Sequence, residues 1–148
     1  MNPEENPRIR HPSYQEVCSG RTGHVEVLYV ELNDPAAHFE ELIRFFFMFH
    51  DPTTANRQGN DAGTQYASWI FCGDATQLEI ATRVRDELQS MVDNGAVRAY
   101  DNKKVTTATG PIREFTPAHE AHQRYLEKHP NGYCNHRFRF KEWPKVAA

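Results

Sequence analysis

Cysteine is scarce in this chain: there are three, at positions 18, 72 and 134, and no two are close in sequence. That excludes a disulfide framework and the paired spacing of a zinc site. Long apolar runs are also missing. The longest, Phe45–Phe49, is far too short to span a bilayer. The first residues carry Glu4, Glu5 and three prolines by position 12, without the apolar centre of a signal peptide or the acid-poor pattern of a transit peptide. Cytoplasmic residence is the expectation. No excess of positive charge is present: the net charge is −3, so the surface as a whole does not attract nucleic acid. Internal repeats and low-complexity tracts are absent as well.

The chain has 148 residues, 39% hydrophobic and 25% charged, enough for one domain with a real core. Residues 1–13 read as a disordered arm, 14–134 as the folded domain, and 135–148 as a C-terminal tail. His24–Leu32 alternates as a strand whose faces are both largely apolar, which predicts a central place in a sheet. Glu26 would then be desolvated, and a desolvated carboxyl holds its proton as a general acid must. An ion pair at a strand end explains the same residue equally simply.

Asn33-Asp34-Pro35 opens a helix, with a capping side chain followed by proline at the first helical position. Phe39, Leu42, Ile43, Phe46 and Phe47 line its core face, while Phe45 and Phe49 make it apolar on a second side. Ser68–Cys72 reads as a short strand. Asp74 caps a helix to about Asn94, stopped by Gly95. Its Glu79, Arg83, Arg85, Asp86 and Glu87 form a solvated face. Ala96–Ala99 and Val105–Ile112 are strand candidates, and Thr116-Pro117 opens a last helix to about His129. The tail mixes basic and aromatic residues from Asn135 to Lys145, a pattern that serves single-stranded nucleic acid or is simply solvated. The order of elements predicts an α+β sandwich with a mixed sheet.

Between the first long helix and the short strand lies the most informative stretch, His50-Asp51-Pro52-Thr53-Thr54 through Gly59-Asn60-Asp61-Ala62-Gly63-Thr64-Gln65-Tyr66-Ala67-Ser68. It is too long for a plain turn. It concentrates an acid, an amide, a phenol and two glycines that permit sharp turning. A large solvated loop is the plain alternative. This stretch resembles the central loop of the peptide methionine sulfoxide reductase A family. Tyr14-Gln15-Glu16-Val17-Cys18-Ser19-Gly20 through Val27, and His122-Gln123 through Tyr133-Cys134, resemble two further blocks of that family, in the family order.

The resemblance implies a ferredoxin-like α/β sandwich and thiol-dependent reduction of methionine-S-sulfoxide, free or in proteins, as repair of oxidative damage. It implies Glu26 as the catalytic acid and Cys134 as the resolving cysteine. Tyr14 and Tyr66 would hydrogen-bond the sulfoxide oxygen, and Asp61 would order water and neighbouring groups. No cofactor or metal is implied; thioredoxin or dithiothreitol is the reductant, by disulfide exchange. Cys18 and Cys72 fall outside the family's catalytic cysteines and read as core residues. No segment of the 148 residues resembles the Gly-Cys-Phe-Trp-Gly block that carries the family's nucleophile, central strand and helix. His119 stands where glutamate is usual. A binding module that grips methionine sulfoxide or a protein partner without turnover is therefore the alternative. A substitute nucleophile at Cys18 or Cys134 ranks below both.

Overall fold

Asp34 and Pro35 begin the first long helix. The computed structural model describes residues 1–3 and 11–145. In it the Asp34 carboxylate accepts the Ala37 N–H at 3.1 Å and Pro35 takes the first helical position of α2, Pro35–Phe49. A short helix, α1 (Tyr14–Cys18), precedes it, closed by a capping box between Ser13 and Glu16. Further along come β1 (Arg57–Gln58), β2 (Asp61–Ala62), a 3₁₀ turn at Thr64–Tyr66, β3 (Trp69–Cys72), α3 (Ala75–Asp93), β4 (Ala108–Pro111) and α4 (Tyr125–Lys128).

The core lies between α2, α3 and the β3–β4 pair. Phe39, Ile43 and Phe47 of α2 meet Ala81, Val84, Leu88 and Met91 of α3, with Ile70, Cys72 and Val97 completing the cluster. Asp74 caps α3 through the Gln77 N–H at 2.8 Å, and the chain leaves the helix at Gly95, whose φ of +78° suits glycine. β3 and β4 are parallel, Ile70 opposite Thr109, and α3 provides the crossover.

The α+β class holds, but the sheet is smaller than the pattern predicts. Two two-stranded pieces form, β1–β2 antiparallel and β3–β4 parallel. The expected central strand over His24–Leu32 is not one: the segment makes no ladder among the described residues, and Leu28 is 88% exposed. Alternation of apolar residues marks a chain fit for a sheet. A strand also needs neighbours for its N–H and C=O groups. Among the described residues only the start of the segment is tied by backbone bonds to other parts of the chain, two between Met1 and Val25 and one from Glu26 N–H to Gln65 C=O. Ala96–Ala99 forms no strand, and the expected last helix is reduced to a 3₁₀ turn at Glu120–His122 and the short α4, interrupted by Arg124 with φ +52°.

Of the expected arm, residues 4–10 lie outside the described residues, whereas Met1 is buried against Val25. The tail is docked onto the helices. Arg137 and Arg139 donate their backbone N–H groups to Phe49 and Met48 C=O, and Phe138 packs edge-on against Phe45 and Phe49. The second apolar side of α2 is thus covered by the tail. The face of α3 read as solvated is partly an inter-helix contact: Arg44 bridges Glu40 and Glu87, Arg83 reaches Glu40, and Trp143 donates to Glu87 at 2.9 Å while lying under the Arg44 guanidinium. No helix among the described residues is long and apolar enough to cross a membrane.

Candidate active site

The long loop is braced at its base. His50, Asp51, Pro52 and Thr53 are buried. Asp51 accepts the Thr53 N–H at 2.9 Å through one oxygen and the Asp101 N–H at 2.9 Å through the other. Thr53 in turn holds Asn102, and the Pro52 C=O accepts both the N–H and the hydroxyl of Thr106. His50 bonds the Phe46 C=O and Ser68 Oγ through its two ring nitrogens, and burial pushes its pKa down to about 4. The β1–β2 hairpin, turning at Gly59 with φ +56°, rises from this base and presents Asp61.

From there the loop turns through Gly63 and the 3₁₀ turn, which seats Tyr66 half-buried beside Glu26. The Gln65 C=O that accepts from Glu26 N–H ties the two segments together. Gln65 itself is buried; its Nε2 lies 3.4 Å from the Cys18 C=O, which joins α1 to the same wall. Tyr14, on the first turn of α1, stacks on His122 with ring centroids 4.8 Å apart. Residues 14, 26, 61, 66 and 122, distant in sequence, thus meet at one place on the surface.

Their electrostatics reflect that meeting. The Glu26 carboxyl is raised, first by crowding that removes water, and also by the charge of Asp61, with His122 acting in the opposite sense. The side chain is nevertheless on the exposed surface rather than in the interior of a sheet, so its environment is a crowded acidic rim. Burial, Glu26 and Asp61 raise the Tyr66 phenol, and the Cys18 thiol as hydrogen-bond partner raises that of Tyr14. Each shift favours the protonated form, so the cluster offers O–H groups to an acceptor.

Tyr14, Glu26, Asp61 and Tyr66 are brought together as a group. Cys134 is exposed and joins them indirectly, because Asn135 donates to the Asp61 carboxylate at 3.2 Å. Cys72 is buried in the core and its thiol is pushed up to about 11 by desolvation. Cys18 is not a core residue: it is exposed, on the last turn of α1 beside Tyr14. No residue of α1 is buried, so the helix lies on the surface and Cys18 with it. Sequence reasoning gave no role to Asp51, whose Asp-x-Thr spacing is the signature of a side chain bonding the backbone two residues on. Asn135 carried no such signal. No group of three potential metal ligands occurs among the described residues.

The class defined by this fold and site is an α+β protein with a surface cluster of protonated acid and phenols flanked by thiols. A family model described as peptide methionine sulfoxide reductase matches residues 5–146. A probable peptide methionine sulfoxide reductase of Schizosaccharomyces pombe is 44% identical over 128 residues, 86% of this chain and 71% of the relative. The MsrA of Salinispora arenicola is 43% identical over 128 residues, 85% of this chain and 56% of the relative. Among solved structures, the reduced form of Mxr1 from Saccharomyces cerevisiae superposes with a TM-score of 0.72 at 41% identity, over 83% of this chain and 63% of that one. Methionine sulfoxide reductase A of Corynebacterium diphtheriae gives 0.65 at 37% identity, over 83% and 59%. The chain belongs to the peptide methionine sulfoxide reductase family, and it spans little more than half the length of its bacterial relative.

Proposed function

We propose that this chain carries the sulfoxide-binding, proton-donating and resolving parts of a peptide-methionine (S)-S-oxide reductase. The observation that carries the reading is the convergence of Tyr14 from α1, Glu26 from the following segment and Asp61 and Tyr66 from the long loop, with Glu26 and both phenols shifted toward their protonated forms. A sulfoxide oxygen is a strong acceptor and fits such a set of donors. Reduction consumes two thiols: one sulfur attacks the sulfoxide sulfur while Glu26 protonates the sulfoxide oxygen, the hydroxyl then passes from the substrate sulfur to the attacking sulfur as the bond between the two sulfurs breaks and the thioether leaves, and Cys134 displaces that hydroxyl as water to close the sulfenic acid to a disulfide. Thioredoxin then reopens that disulfide by exchange. Asp61 orients the groups around it. Repair of oxidised methionine in the cytoplasm is the setting that suits this chemistry.

The attacking cysteine is not supplied by the family block, which these 148 residues do not contain. Neither Cys18, at the last turn of α1, nor Cys134, outside any helix, begins a helix, and the His136 ring 4.0 Å from the Cys134 thiol is pushed toward its neutral form by burial, so neither thiol has a setting that activates it. That observation favours, as a second reading, a module that binds methionine-S-sulfoxide without turnover.

Binding of N-acetyl-methionine-(S)-sulfoxide amide, followed by calorimetry, tests the shared core of both readings. The S-sulfoxide binds in preference to the R form and to methionine. Affinity falls as pH rises through the raised Glu26 pKa, because the donor proton is then lost. Glu26→Ala weakens binding by roughly tenfold, one hydrogen bond's worth, whereas Glu26→Gln, still a donor, binds without that pH dependence. Equal affinity for sulfoxide and methionine, or an unchanged Glu26→Ala, overturns the reading. Turnover with dithiothreitol by this chain decides between the reductase and the binding module.

A further inference from the structure

Asn135 sits one residue beyond Cys134 and is half-buried in an otherwise exposed stretch. Its amide nitrogen is 2.7 Å from the Gln58 C=O and 3.2 Å from Asp61 Oδ2, so it donates to both strands of the β1–β2 hairpin. The hairpin is shaped to receive it. A Cβ added at Gly59 would lie 3.1 Å from both Asn135 Cβ and Nδ2, closer than ordinary packing. Beyond Asn135 the docking continues, with Arg137 N–H on Phe49 C=O at 3.1 Å and Arg139 N–H on Met48 C=O at 2.8 Å. Asp61 also faces the other way, where its charge acts on Glu26 and Tyr66. One carboxylate therefore borders the candidate pocket and anchors the residue that follows the exposed thiol.

We propose that Asn135 is a positioning residue: it latches the Cys134 segment to the β1–β2 hairpin through Asp61 and Gln58, and so couples the thiol to the state of the pocket. The assignment of Cys134 as the resolving thiol rests on the reading under Proposed function; the latch itself does not. A ligand that draws on Asp61 changes the hold on Asn135, and the coupling is reciprocal. Both acceptors, a carbonyl and a carboxylate, require a donor at this position. The isosteric Asn135→Asp removes it and places two carboxylates side by side, while leaving the volume unchanged.

The experiment has two arms, both on the full chain. In the first, amide hydrogen exchange without ligand compares wild type with Asn135→Asp and Asn135→Ala. Exchange at Arg137 and Arg139 accelerates about tenfold in both variants, in line with loss of one or two hydrogen bonds, with α2 and α3 protection retained. Unchanged exchange at these amides overturns the latch. In the second, iodoacetamide labelling of Cys134 is followed by peptide mass spectrometry with and without saturating N-acetyl-methionine-(S)-sulfoxide amide. The sulfoxide shifts the labelling rate about fivefold in wild type, and the response disappears in Asn135→Asp while sulfoxide affinity shifts by no more than about that same factor. A residue that merely supported the fold would lower affinity and helix protection together. If wild type binds the sulfoxide but Cys134 does not respond, the coupling is refuted. If wild type binds no sulfoxide, the reading under Proposed function has failed, and the exchange arm still decides the latch.

Discussion

Asp51 is the residue whose removal should do most to undo the site without touching it. It is 2% exposed, and its carboxylate satisfies two backbone N–H groups, that of Thr53 at its own turn and that of Asp101 50 residues further along. In Asp51→Ala both donors lose their acceptor, that of Thr53 in the buried loop base and that of Asp101 at its part-buried edge. Each such orphan costs about 1–3 kcal/mol, so the variant loses about 2–6 kcal/mol, less whatever is regained by no longer burying a carboxyl. Against a stability of about 5–15 kcal/mol, that is a large fraction. Asp51→Asn keeps one oxygen for Thr53 and turns its NH₂ toward the Asp101 N–H, so it loses about half as much, roughly 1–3 kcal/mol. Urea unfolding followed by circular dichroism measures both, with midpoints moving in the order wild type, Asn, Ala at constant slope. An Asp51→Ala midpoint corresponding to less than about 1 kcal/mol of loss would refute the reasoning, because it would mean that the loop base is not held by these bonds.

Two further predictions follow from the interior and the helix interface. His50 is pushed down to about 4 by burial; above pH 6.5 it is neutral folded and unfolded, and below that only the unfolded chain takes the proton. Stability therefore falls by about 3 kcal/mol as pH drops from 6.5 to 4; the stability gap between wild type and His50→Asn, measured by urea unfolding, narrows over that window, and a constant gap would refute the assignment. Glu87→Ala strips Arg44 of its bidentate partner and frees the Trp143 indole, both part-buried. A loss of about 1–2 kcal/mol, discounted for residual solvent screening, and a red shift of tryptophan emission are the expected readings.

The parts of the fold legible in the sequence are those fixed by local rules. Asp34-Pro35 and Asp74 start helices because a carboxylate can satisfy an orphan N–H wherever the chain lies, and both do so. Gly95 stops α3 for an equally local reason. The apolar spacing of α2 finds Phe39, Ile43 and Phe47 of the core and Phe46 at its edge, while Leu42 stays outside the cluster. What local rules do not reach is partnership. His24–Leu32 has the composition of a central strand, yet a strand exists only where another lies beside it. Thr116–His129 contains a helix start but has exposed positions throughout, so no burial holds its turns together.

The candidate site shows the same division. Motif resemblance names candidate residues, but not the environment in which the fold places them. Glu26 keeps a raised pKa although the buried sheet expected around it is absent: crowding by the wall of Tyr66 and Gln65 removes water from it, and the charge of Asp61 adds a smaller push against the opposing pull of His122. A carboxyl raised by neighbours of like charge responds to changes in those neighbours, whereas one raised by burial in a sheet does not. Asp61 is therefore the more informative position to alter. Asp61→Asn removes the charge that raises Glu26 while retaining a side-chain oxygen for Asn135. The Glu26 pKa, followed by NMR titration of its side-chain carboxyl carbon, moves down only in part, because crowding, the larger cause, remains, and sulfoxide affinity then falls off at lower pH than in wild type. An unmoved Glu26 titration would mean that crowding alone sets its protonation.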